Sequence, residues 1–145
     1  MKIEIFYNVR FFKENMVKPT LFIIFARSFG FLPTEKELKE GANIKNITKM
    51  VENDFKLHGY DLVHSLGHGV GLDIHEYPYL HGKNDSYLKD KMIVTNEPGI
   101  YIPEKFGVRI EDTVLITKSG CINLTKSDKN YIIVEGKIKG VNLMK

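Results

Sequence analysis

The spacing of apolar positions divides the chain into three zones. From Met1 to Pro33 aromatic and aliphatic residues alternate irregularly with lysine and arginine, and the zone closes on the breaker at Gly30 to Pro33. This stretch reads as a helix around Val9 to Met16 followed by an apolar segment from Leu21 to Ala26. From Thr34 to Gly59 the pattern is helical. Thr34-Glu35-Lys36-Glu37 has the spacing of a capping box, in which a hydroxyl and a carboxylate satisfy each other's orphan backbone donors, and Gly41 supplies a stop. Ile44, Ile47, Met50, Val51 and Phe55 then recur three or four residues apart, which lays an apolar stripe along one helix face. Asn43 or Asn46 caps this second helix and Gly59 ends it. Such a stripe builds a core far more often than a ligand site, so it is assigned to packing.

From Tyr60 to about Val134 the chain is glycine-punctuated and rich in β-branched residues. Met92-Ile93-Val94-Thr95 and Ile100-Tyr101-Ile102 read as strands and Val108 to Thr117 as a longer one, with Pro103 to Gly107 turning between the last two. Tyr131 to Val134 is a short strand in the tail. The expected fold class is α+β. Residues 1–33 form an N-terminal segment without an assigned fold, and residues 34–145 form the organised part.

Composition changes this picture little. With 145 residues, 43% hydrophobic and 27% charged, the chain matches an ordinary globular domain and not a disordered one. The net charge of +3 is spread over scattered lysines without a block of like sign, so no nucleic-acid or membrane partner is expected. The run Leu21 to Ala26, broken by Arg27, is far short of the ~20 residues that span a bilayer. Cys121 is the one cysteine, which excludes an internal disulfide or a thiolate-rich zinc site and fits a cytoplasmic, reducing compartment. It follows Gly120 in an expected turn, with no nearby base to activate it.

Three clusters could carry chemistry. The first is His64-Ser65-Leu66-Gly67-His68-Gly69-Val70-Gly71-Leu72-Asp73-Ile74-His75-Glu76. Its glycines oppose a helix, and those flanking His68 allow another backbone or a ligand to approach closely. In an extended chain His64 and His68 share a face while His75 has the opposite parity, so a bend in the glycine stretch is needed to gather all three. The second cluster is Asn96-Glu97-Pro98-Gly99, where a glutamate in an apolar strand context is expensive to bury without a cation or donor. The third is Gly107-Val108-Arg109-Ile110-Glu111-Asp112-Thr113, whose alternation places Arg109, Glu111 and Thr113 on one face. Singly, an exposed turn glutamate and a surface ion pair account for the second and third. Jointly, imidazole and carboxylate form a ligand set suited to zinc, manganese, cobalt or iron, with Glu97 and Glu111 able to bridge two ions and Arg109 to orient a ligand.

In order and spacing these three strings resemble the carboxyl-terminal half of prolidases and Xaa-Pro aminopeptidases, metallopeptidases of the pita-bread fold, from about Glu37 to Val134. The resemblance implies that residues 34–145 are the C-terminal half of a metallopeptidase catalytic domain, a partial pita-bread fold with a curved antiparallel sheet and helices on one face. It implies metal ligands at His68, Glu97 and Glu111, with Glu111 bridging and Glu97 also taking a proton from the bound water. It implies substrate contacts at His75, which helps stabilise the tetrahedral intermediate, at His64, which lines the pocket beyond the scissile bond, and at Arg109 beside the ions. The implied activity is hydrolysis of the bond before proline in a di- or oligopeptide, with manganese, cobalt or zinc as the cation.

This sequence departs from the family in two ways. The family's two upstream aspartate ligands have no counterpart in context, since the first aspartate here is Asp54. Lys91 and Asn96 stand where glycine and an apolar residue are usual. The expectation is a truncated product that binds one ion or none where the family binds two, is weakly active or inactive alone, and self-associates or pairs with a missing N-terminal half. The alternatives are a non-catalytic remnant or binding module that retains the half-fold, and a mononuclear metal-binding domain.

Overall fold

The computed structural model describes residues 5–6, 9–11, 36–103 and 106–127. A 14-residue helix, α1 (Ile44–Leu57), starts where the sequence offered two caps, and geometry chooses between them. Asn43 has extended φ and ψ, and its side chain accepts the Asn46 N–H. At the far end the N–H groups of His58 and Gly59 donate to Phe55 and Lys56, and Gly59 takes a φ of +81°. Ile44, Ile47, Val51 and Phe55 are buried along one face, and Thr48 joins them by donating its hydroxyl to the Ile44 carbonyl. At about 1.5–3 kcal/mol per buried side chain, this stripe holds the helix in place better than its own propensity could. Met50, expected in the stripe, lies at its edge and stays exposed.

The strands form two antiparallel sheets. A five-stranded sheet runs β4 (Glu76–Leu80), β3 (Gly67–Gly69), β5 (Ile93–Asn96), β8 (Asp112–Thr117), β9 (Gly120–Asn123). A four-stranded sheet runs β1 (Ile5–Phe6), β2 (Val9–Phe11), β7 (Phe106–Ile110), β6 (Gly99–Ile102). The core lies against the five-stranded sheet, where Val94, Val114 and Ile116 meet Leu38, Leu66, Leu80, Leu88 and the α1 stripe.

Several expectations change. Val9 to Phe11 is strand, not the start of a helix, because it pairs with β1 on one side and with β7 on the other, in register Val9↔Ile110, Arg10↔Arg109, Phe11↔Val108. A strand that completes two ladders is fixed by its neighbours, which local propensity cannot anticipate. The expected long strand from Val108 to Thr117 is divided at Glu111 between β7 and β8. Cys121 lies within β9, opposite Ile116, and not in a turn. The expected segments Leu21 to Ala26 and Tyr131 to Val134 lie outside the described residues, as do Thr34 and Glu35 of the capping box.

Lys91 has a φ of +67°, a region that favours glycine, and its N–H donates to the Ile116 carbonyl at 2.9 Å, which pins the turn against β8. Lys91→Gly should therefore raise stability by about 0.5–1 kcal/mol, read as a higher urea midpoint. A lower midpoint would mean that the lysine side chain contributes more than its backbone strain costs.

Candidate functional site

The two sheets share one long hairpin. β5 continues into β6 through Glu97 and Pro98, and β7 continues into β8 through Glu111, so both strands change sheet at the same level. The pairs Asn96↔Asp112 and Gly99↔Arg109 follow one register on either side of this break, which sets Glu97 opposite Glu111. Like charges directly opposite each other destabilise an antiparallel pair. Arg109 offsets the repulsion, with Nη2 3.1 Å from Glu111 Oε2 and Nε 3.7 Å from Glu97 Oε2. Burial alone would lower the Arg109 pKa. The Tyr101 phenol, then the Glu111 and Glu97 carboxylates, outweigh it and hold the guanidinium above its ordinary value.

His68 sits in β3 between two other strands at closer range than side chains permit. A Cβ on Gly67 would lie 1.9 Å from the Thr95 carbonyl oxygen, and one on Gly69 would lie 2.3 Å from the Tyr77 carbonyl oxygen. The glycines flanking His68 are thus explained by backbone approach on both sides, as expected. His68 is buried, its Nδ1–H donates to the Gly69 carbonyl at 2.9 Å, and its Nε2 stands 3.3 Å from Glu97 Oε1. Glu97 is buried as well, and its Oε1 accepts the Thr95 hydroxyl at 3.1 Å.

The bend required of the glycine stretch is present. Pairing between β3 and β4 shifts register between His68 and Gly69, and the Glu76 carboxylate fills the space beside Gly71 while accepting the Asp73 N–H at 2.8 Å. His75 returns to stand edge-on to His68, ring centroids 4.4 Å apart, on the exposed side. His64 belongs to a different wall. Its Nδ1–H donates to the Ser65 carbonyl at 2.7 Å, and in the neutral ring Nε2 accepts the Tyr101 hydroxyl at 3.1 Å. The Tyr101 ring lies where Gly99 and Gly107 have no side chain, and its oxygen accepts from Arg109. A chain of contacts therefore runs from His64 through Tyr101 and Arg109 to both glutamates.

Sequence reasoning missed Tyr101 and Thr95. The signals were present: Thr95 has the strand parity of Glu97, and Tyr101 lies across from Gly107 and two residues after Gly99. Asn96 points to the opposite face, fully buried across from Asp112, with neither amide atom hydrogen-bonded.

Among the described residues, no three His, Cys, Asp or Glu side chains gather closely enough to hold an ion. His68, Glu97 and Glu111 stand in a row, with the Arg109 fork between the carboxylates. The pair at its head nonetheless fits a cation. With Nδ1–H donated to Gly69, Nε2 and the facing Glu97 oxygen are either bridged by a proton or left as two lone-pair donors, and the second arrangement suits a shared cation. Two donors each about 2.0–2.2 Å from one ion stand about 3–3.5 Å apart, the range in which these two lie.

Known proteins share this arrangement of chain. The Xaa-Pro dipeptidase of Pyrococcus furiosus is 47% identical over 96 residues, 65% of this chain and 28% of that protein. The structure of a Xaa-Pro dipeptidase from Bacillus anthracis matches with a TM-score of 0.73 at 36% identity, over 83% of this chain and 35% of that one. A methionine aminopeptidase from Thermotoga maritima shares the fold alone, with a TM-score of 0.62 at 20% identity over 74% of this chain and 52% of that one. The aligned region spans 28% of the length of that Pyrococcus relative, and its sheets and helix form part of the pita-bread fold, as expected. Residues 34–118 match the description Metallopeptidase family M24. With that match extending over every side chain of the site, this chain belongs to metallopeptidase family M24.

Proposed function

We propose that the chain contributes His68, Glu97 and Glu111 to a metal centre that hydrolyses the peptide bond before proline. The observation that carries this reading is the buried contact between His68 Nε2 and Glu97 Oε1, placed where Glu97 and Glu111 oppose each other across a sheet break. A divalent cation held there would polarise a water and a substrate carbonyl. Glu97 accepts the proton that the water loses. Arg109 keeps both carboxylates oriented through its two ion pairs. His75, exposed beside His68, donates to the oxygen on which charge develops, and His64 with Tyr101 lines the pocket for the residue beyond the scissile bond.

The donor set suits manganese, cobalt or zinc. The two aspartates that the resemblance adds have no counterpart in context in this sequence, so the chain by itself offers one ion position and hydrolyses little. Leu72 and Ile74 are 104% and 81% exposed, with Tyr77 and Tyr79 nearby, and such apolar surface supports self-association or cover by a segment carrying the missing ligands. No described helix is long and apolar enough to cross a membrane. The single cysteine supports a cytoplasmic setting.

One observation favours a second reading. Arg109 already pairs with both Glu97 and Glu111 and offsets one of their two charges, so the half-fold can persist as a binding module without catalysis.

Calorimetric titration with Mn²⁺, Co²⁺ and Zn²⁺ separates the two. One ion site should appear and be lost in His68→Ala. Hydrolysis of an X-Pro dipeptide, assayed alone and with a separately produced segment bearing the two aspartates, should fall about 10²–10⁴-fold in Glu97→Gln and less in His64→Ala. No turnover under either condition, with ion binding indifferent to His68→Ala, would leave the binding module.

A further inference from the structure

The ladder between β3 and β5 changes character at one residue pair. Val70 N–H donates to the Ile93 carbonyl at 3.0 Å, and Glu97 N–H donates to the Leu66 carbonyl at 2.8 Å. The register that joins these pairs sets His68 opposite Thr95. There the His68 N–H donates to the Thr95 hydroxyl at 3.0 Å, a side-chain acceptor within a backbone ladder. Thr95 is 4% exposed, so no solvent competes for that hydroxyl.

A hydroxyl carries one proton. Because Thr95 Oγ1 accepts from His68 N–H, the direction of its second bond is settled, and its proton goes to Glu97 Oε1. The two oxygens of Glu97 are then addressed separately, Oε1 by Thr95 and Oε2 by Arg109. The terminal torsion of a glutamate is otherwise broad and two-fold. Here the carboxylate plane is fixed, and the same hydroxyl that fixes it also holds the backbone of the histidine that faces it.

We propose that Thr95 is a positioning residue that sets the angle and spacing between His68 Nε2 and Glu97 Oε1, and through them the affinity for a divalent cation. This rests on the reading of that pair as ion-holding. Val94 and Asn96 point to the other face of β5, towards Val114 and Asp112, so Thr95 is the β5 side chain between them that reaches the pair.

The test uses the full chain with Thr95→Val, which keeps the branched shape and loses the hydroxyl, and Thr95→Ser, which keeps the hydroxyl. Thr95→Ala replaces the valine variant should that one not fold. Calorimetry with Mn²⁺ alone should show affinity falling about 10- to 100-fold in Thr95→Val and recovering to within about 3-fold of wild type in Thr95→Ser. Equal affinity in all three proteins overturns the proposal. In metal-free protein, the His68 amide and Glu97 carboxyl resonances should move in Thr95→Val and hold in Thr95→Ser. Absence of any Mn²⁺ binding by the wild type defeats the metal reading of the site, and the resonances then decide Thr95 separately. Both moving sustains it as the residue that positions the pair, and neither moving overturns it.

Discussion

Arg109→Met should lower folding stability by about 3 kcal/mol, the lower end of the cost of removing one partner from a buried ion pair. The lower end applies because the Arg109 side chain is 24% exposed and that of Glu111 is 37% exposed, so water replaces part of what is lost. Methionine keeps the unbranched apolar stem and lacks the guanidinium head, which leaves the charge and its hydrogen bonds as the main change. Two carboxylates would then face each other across a sheet break with no cation between them. Mn²⁺ should consequently raise the thermal midpoint of the variant more than that of the wild type, where the guanidinium competes for the same oxygens. Unfolding in urea and by heat, with and without Mn²⁺, reads both effects. A loss below about 1 kcal/mol would reduce the Arg109 contacts to the value of ordinary exposed pairs.

Much of this arrangement was legible in the sequence because it is local. The α1 stripe follows from three- and four-residue spacing, and Asn43 and Gly59 mark the ends of α1 by chemistry that each residue carries itself. The glycines beside His68 announced close backbone approach, and two backbones do close on them. What stayed hidden depends on register between distant segments. The opposition of Glu97 and Glu111 exists because one hairpin register persists through a change of sheet, and neither residue's neighbours encode that. Thr95 looked like one more β-branched strand residue until β3 was set opposite it. Tyr101 read as one more strand residue, and the room that Gly99 and Gly107 leave for its ring over the strands emerges only from the pairing of β6 with β7. The histidines show both sides of this limit. Their parity correctly demanded a bend between His68 and His75, but the partner of His64 is a tyrosine 37 residues away.

Gly67→Ala should cost about 3–5 kcal/mol, because the added methyl meets backbone that cannot yield. Its Cβ would lie 1.9 Å from the Thr95 carbonyl oxygen and 2.7 Å from the carbonyl carbon. Rotating a side chain relieves neither contact, so β3 and β5 must separate. Overpacking of this kind costs about 1–3 kcal/mol, and parting the strands also weakens two hydrogen bonds at about 1 kcal/mol each. Those bonds run from His68 N–H to Thr95 Oγ1 and from Glu97 N–H to the Leu66 carbonyl. The same movement draws His68 away from Glu97, so the stability loss and any loss of cation affinity should appear together. Gly120→Ala is the control, since a Cβ there meets nothing within 4 Å and its stability should stay within about 0.5 kcal/mol of wild type. Urea midpoints that fall equally in the two variants would show that the cost belongs to losing a glycine and not to the closeness of the strands. A selective fall in Gly67→Ala ties the sheet's tightest approach to the spacing of the side chains that hold the ion.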